Sequence, residues 1–141
     1  MNRKLPYKVY PDTRTGGYFY AVVMPVQIAA PEINSPRTKR FEAIIDSGAS
    51  SCQFNASIGA AIGLDIEKGD KVETLGISGS NEIYMHQISL YLPGGVVKTE
   101  AGFSKDLPVL GLLGMSGFFE HFKVIFDSAT LQCELERIFH A

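Results

Sequence analysis

Runs of β-branched and aromatic residues, each cut short by Gly, Pro, Asn or Asp, constrain this chain more than any other feature. Residues 18–29, YFYAVVMPVQIA, read as a strand, and the polar PEINSPRTKR after them as a loop. Residues 41–46 read as the next strand. Asn55 is placed to cap a short helix over residues 56–62, with Gly63 as its stop. Residues 71–75 and 83–92 read as strands joined by the glycine-bearing tip GISGSNE. Pro93-Gly94-Gly95 then turns the chain into a strand over residues 96–103, and LPVLGLLG contributes a short buried one. SGFFEHF has the spacing for one or two helical turns, with Ser116 as cap and Phe118, Phe119 and Phe122 inward. KVIFD and TLQCELERI close the chain as a pair of strands around a turn at residues 127–129. The expectation is about eight or nine short strands and one or two short helices, a mainly β structure that is closed or nearly so.

The chain has 141 residues, 45% of them apolar, and shows no internal repeat or interdomain linker. A single domain over residues 1–141 is expected, with residues 1–16 as an extended N-terminal segment. Net charge is −2, with both signs scattered along the chain, so neither nucleic acid nor a membrane surface is an expected partner. No apolar run reaches the roughly 18–20 residues of a membrane span. The basic N-terminus has no apolar stretch behind it, which argues against a secretory signal and for the cytoplasm. Cys52 and Cys133 lack C-x-x-C spacing and read as buried free thiols, with a disulfide between them as the open alternative. His86, His121 and His140 lack ligand spacing, so no metal and no cofactor are expected. Asn55-Ala56-Ser57 is formally a glycosylation sequon, but the helix-cap role fits it better.

One stretch does not read as scaffold alone. In AIIDSGASSCQF, Asp46 follows the apolar Ile44-Ile45 and precedes Ser47, Gly48 and Ala49. An Asp-Ser-Gly after a strand is ordinarily a turn. Here the flanking isoleucines and the small Ala49 put the carboxylate at a buried strand end, where it needs hydrogen-bond partners. Ser47 and the Gly48 amide can supply them. A second stretch, VLGLLGMSGFF, sets Leu112, Leu113 and Gly114 before an aromatic turn.

These stretches, in this order with a glycine-tipped hairpin between them, resemble the retropepsin-like aspartic proteases. In that family an Asp-Ser/Thr-Gly-Ala loop is followed by a flap hairpin and then by an apolar-apolar-Gly strand that supports the loop. The resemblance runs from about Phe41 to Leu135. It implies a small closed β-barrel of the acid-protease type and an aspartic endopeptidase activity. It assigns Asp46 as the catalytic acid and Ser47, Gly48, Ala49, Leu112, Leu113 and Gly114 as support for its loop. Gly76, Ile77, Ser78 and Gly79 fall at the tip of the substrate-binding flap. The pattern departs in two respects: viral-type members carry an acid after the loop and an Arg after the apolar-apolar-Gly, where this chain has Ser50, Ser51 and Met115, and the first fifteen or so residues have no pattern that aligns with the family.

One carboxylate without a neighbouring His, Lys or metal is a poor hydrolytic catalyst, whereas two facing carboxylates share a proton and divide acid and base roles. The chain offers one such acid, so the resemblance implies a homodimer in which Asp46 meets its own copy on a two-fold axis. An extended, largely apolar peptide segment is the implied substrate. Asp127-Ser128-Ala129-Thr130 echoes the first motif, but Ala129 replaces its glycine and Asp127 reads as a turn residue. GISGS, GMSGF and GASSC each fall short of the G-x-S-x-G nucleophile elbow, and no phosphate-loop fingerprint is present. Two other readings stay open: a proteolytically silent peptide-binding or dimerisation module on the same fold, and another small β-barrel with a structural Asp46.

Overall fold

The structure, a computed structural model, describes residues 2–76 and 79–139. Twelve strand segments run in chain order: β1 (Asn2–Pro6), β2 (Lys8–Pro11), β3 (Tyr18–Ala21), β4 (Val23–Ala29), β5 (Phe41–Ile45) and β6 (Gln53–Asn55), then β7 (Asp70–Gly76), β8 (Gly79–Leu92), β9 (Gly95–Ser104), β10 (Gly111–Leu113), β11 (Phe122–Asp127) and β12 (Gln132–Arg137). Between β6 and β7 lie the helix α1 (Ala56–Ala61) and a 3-10 turn at Ile66–Lys68.

Six strands close on themselves in the order β4-β5-β10-β6-β9-β8, and β8 returns to β4 through Gln27↔Tyr91, Ile28↔Leu90 and Ala29↔Ser89. This is the closed small barrel that the sequence led us to expect. Period-two patterning builds its interior. Met24, Val26 and Ile28 face inward from β4, Ala43 and Ile45 from β5, Ile88 and Leu90 from β8, and Ala101 and Phe103 from β9. Phe54, Phe103 and Phe118 are fully buried, each worth about 1.5–3 kcal/mol in apolar transfer.

The local signals at α1 operate as read. Asn55 caps the helix through its side chain, which accepts from the Ser57 amide at 3.0 Å, and Gly63 leaves it at φ +82°. Pro93-Gly94 turns β8 into β9, with Gly94 at φ +90°. The long run over residues 18–29, however, is two strands. β3 pairs with β2 as a separate hairpin, while β4 joins the barrel, and buried Val22 divides them. Exposed Tyr18, Phe19 and Tyr20 against buried Val23 and Met24 mark that change of partner.

The helix expected at SGFFEHF does not form. Gly117 stands at φ +96°, which no α-helix accommodates, and Ser116 bridges Ser51 as a strand would. Glu120 closes the turn by accepting from the Gly117 amide at 2.6 Å. Phe118 and Phe122 still point into the core, stacked with ring centroids 5.0 Å apart. The N-terminal segment is extended and joins a sheet: β1 pairs with β12, which pairs with β11, in a three-stranded antiparallel sheet.

Candidate active site

Strands β5 and β6 are consecutive in sequence but not neighbours in the sheet, because β10 lies between them. It runs parallel to β5, with Leu112 opposite Ile44 and Leu113 opposite Ile45, and antiparallel to β6. Residues 46–52 must therefore arch over the end of β10 to reach β6. Asp46 is the first residue of that arch.

Backbone bonds tie the arch to the chain leaving β10. The Asp46 amide donates to the Leu113 carbonyl at 3.0 Å, the Met115 amide to Ala49 at 2.9 Å, and the Ser116 amide to Ser50 at 3.0 Å. Gly114 passes directly beneath. A Cβ there would lie 2.3 Å from the Ser51 carbonyl oxygen and 2.7 Å from that of Ala49, so no other residue fits without displacing the loop. Ala49, in the same arch, is buried.

Asp46 itself is half-buried. Its Oδ1 accepts from the Gly48 amide at 2.8 Å, which fixes the carboxylate plane, while Oδ2 makes no bond among the described residues. Of the two donors expected for it, Gly48 serves. Ser47 is exposed, and its hydroxyl makes no hydrogen bond among the described residues. Met115, beside the arch, is also exposed.

Two grooves meet at Ile44. One, of about 230 Å³, holds Asp46 together with Tyr7, Tyr20, Ile45 and Phe126. The other, of about 390 Å³ and mostly apolar, runs from Ile44 past Val23 to Tyr10, Phe19 and residues 107–110. Tyr7, Tyr20 and Phe126 were not legible as site residues. They reach Asp46 only because β1–β3 and β11 fold back beside β5, and the sole local hint was the aromatic run Tyr18-Phe19-Tyr20.

The β7–β8 hairpin carries the expected flap-tip residues. Tyr84–Leu92 of β8 pair with β9, whereas Gly79–Ile83 pair only with β7, so the far half of the hairpin extends as a two-stranded arm. Gly76 pairs with Gly79 at its end, and Ile77 and Ser78 lie outside the described residues. Lys71 braces the arm by a 2.9 Å ion pair to Glu82.

Asp127 sits elsewhere, in the turn between β11 and β12. It is exposed and accepts from the amides of Ala129 at 3.0 Å and Thr130 at 3.3 Å. The Thr130 side chain, aided by those two amides, holds its carboxyl below the usual aspartate value. This is an Asx turn, as its sequence suggested.

The barrel, with a strand threaded between β5 and β6 under an acid-bearing arch, is the fold of the retropepsin-like aspartic proteases. The chain is similar to the crystal structure of a retropepsin-like aspartic protease from Rickettsia conorii, with TM-score 0.62 and 17% identity over 96% of this chain and 90% of that one. It is also similar to the crystal structure of the retroviral protease-like domain of Ddi1 from Leishmania major, with TM-score 0.51 and 17% identity over 76% and 82% of the two chains. No family model and no curated protein matches the sequence. Among the described residues no helix is long and apolar enough to cross a membrane.

Proposed function

We propose that this protein is an aspartic endopeptidase that works as a homodimer, each copy giving one Asp46. The observation that carries the reading is the arch: an aspartate at the exit of a core strand, locked by Leu113 and Gly48, with one carboxylate oxygen left without a partner among the described residues. Exposed Ser47, Gly48 and Met115 beside it leave the loop accessible to a second copy. The apolar side chains that share its groove, Tyr20 at 56% exposure and Phe126 at 44%, form a surface that a partner or a peptide would cover.

In the dimer the two carboxylates share one proton because both cannot ionise cheaply at close range. The ionised member takes a proton from a water held between them, and that water's oxygen adds to the scissile carbonyl. The protonated member polarises the carbonyl oxygen. Collapse of the tetrahedral intermediate breaks the C–N bond, and the amine leaves with a proton from the dyad. Ser47 would hydrogen-bond within the paired loops. The β7–β8 arm, with Gly76, Ile77, Ser78 and Gly79 at its end, would close over the peptide and exclude water. The grooves on either side of Ile44 favour apolar side chains flanking the cut, and the buried thiols suit a reducing cytoplasm.

Asp46→Asn tests this directly. Asparagine keeps an oxygen for the Gly48 amide but cannot share a proton. Cleavage of unfolded casein between about pH 4 and 7 should vanish, while sedimentation still reports a dimer. Wild-type protein that dimerises without cleaving would favour a silent peptide-binding module on this fold, and a strict monomer with no activity would overturn both.

A further inference from the structure

Four arginines from three separated stretches of sequence converge at a slot remote from Asp46. Arg3, Arg37 and Arg40 line a cavity of about 550 Å³ with Tyr91 and the Pro93–Gly95 turn. That volume lies within the ~300–1,000 Å³ range of small-molecule sites. Arg137 abuts the same turn, since a Cβ on Gly95 would come within 3.0 Å of its Nη1. Arg3 reaches the slot because it lies opposite buried Leu135 in the β1–β12 ladder and so shares that residue's face, which is also the face of Arg137. Lys4, opposite Glu134, points the other way.

No acid lines the slot, and none of the four arginines is in an ion pair with a described acid. The chain is not short of acids: 15 Asp and Glu stand against 13 Lys and Arg. The described ion pairs all use lysines and lie elsewhere. Guanidinium groups cannot shed their charge, so gathering them without a counter-charge is unfavourable until an anion arrives. Two of them are also held in place. Arg37 lies 3.8 Å over the Tyr91 ring and Arg137 5.6 Å over that of Phe122, which lowers the entropy lost when they bind. Gly94 and Gly95 leave the turn without side chains, so a ligand can approach the backbone.

We propose that this slot binds a small molecule carrying two or more phosphate groups. Planar guanidiniums match phosphate oxygens in bidentate pairs, and several converging forks suit more than one phosphate. A second copy of the chain seated symmetrically on the slot is a poor occupant, since a two-fold axis passing through it would set arginines against arginines. A long nucleic acid calls for an extended basic stripe, and this site is a bounded pocket. The assignment is independent of the role of Asp46.

The test measures thermal unfolding with inorganic pyrophosphate against sodium chloride at matched ionic strength. Pyrophosphate should raise the melting temperature by several degrees in the wild type and in Arg14→Gln, whose arginine lies in the β2–β3 turn. The rise should be lost in Arg37→Gln/Arg40→Gln. If that double variant does not fold, Arg3→Gln and broadening of the pyrophosphate phosphorus resonance by wild-type protein provide the same comparison. No rise in the wild type, an equal rise with chloride, or an undiminished rise in the slot variants would overturn the proposal. So would binding to a phosphopeptide but not to pyrophosphate. Phosphatidylcholine vesicles doped with phosphatidylinositol bisphosphate separate the sources. Co-sedimentation lost in the slot variant assigns a lipid headgroup, and pyrophosphate binding without co-sedimentation assigns a soluble ligand.

Discussion

The amide of Asp46 donates to the carbonyl of Leu113 across 3.0 Å, so the last residue of β10 sets the position of the first residue beyond β5. The two strands are parallel neighbours whose ends coincide. The carboxylate is therefore held by a strand that arrives some seventy residues later in the chain, and anything that shifts β10 or its exit moves the acid.

Gly114→Ala tests that coupling. The new methyl would meet backbone oxygens of Ser51 and Ala49, which cannot swing aside as a side chain could. We expect a loss of about 1–3 kcal/mol in stability, read as a lower urea midpoint at unchanged slope. Proteolysis should fall further than the unfolded fraction explains, because the arch carrying Asp46 must lift. A variant with wild-type midpoint and activity would refute the close packing.

Asn55 ties the start of α1 to residues 107–110, which line the apolar groove. Its Oδ1 accepts from the amide and hydroxyl of Ser57, capping α1, while its Nδ2 donates to the Leu107 carbonyl at 2.8 Å. Its own amide donates to Leu110. Asn55→Ala loses the cap and should cost about 1–2 kcal/mol in chemical unfolding. Asn55→Asp keeps the cap but sets a carboxylate oxygen against the Leu107 carbonyl. Its stability should fall less, while KM for a peptide with apolar flanking residues rises as residues 107–110 loosen. Equal KM in Asn55→Asp and wild type would remove the groove from substrate binding.

What the sequence made legible was local. The Asn55 cap, the Gly63 stop, the Pro93-Gly94 turn and the Asp46 loop each depend on residues within a few positions of one another. The mainly β structure followed from the run lengths, and the closed barrel from the resemblance to the retropepsin-like family. What escaped was set by pairings between distant segments. Nothing near residues 18–29 says that β3 pairs with β2 while β4 pairs with β5. Nothing in positions 3, 37, 40 and 137 announces a shared slot. The helix misread at SGFFEHF is a different case, since Gly117 was a visible breaker that the spacing of three phenylalanines outweighed.

Burial pushes the thiols of Cys52 and Cys133 up to about 11. For Cys52 a hydrogen bond with the Gly114 backbone opposes that rise without cancelling it. At pH 8 the thiolate fraction is about one in a thousand, so neither should react appreciably with a disulfide reagent in the folded protein. Both should titrate in urea. Rapid native labelling of two thiols would contradict their burial.

Asp127 separates the turn role from a catalytic one. Its pKa is lowered in the fold by the Thr130 side chain and the Ala129 and Thr130 amides, so the ionised form stabilises the folded state. For a depressed carboxylate that contribution is complete above the ordinary aspartate range and disappears as pH falls through the lowered value. Asp127→Ala should therefore unfold more easily than wild type at neutral pH, and the two denaturation curves should converge at strongly acid pH, where the wild-type carboxyl is protonated. Casein cleavage by the folded variant should remain at the wild-type rate. If Asp127→Ala abolished cleavage while keeping the fold, the second acid would come from the same chain, and a dyad of two Asp46 residues would no longer be needed.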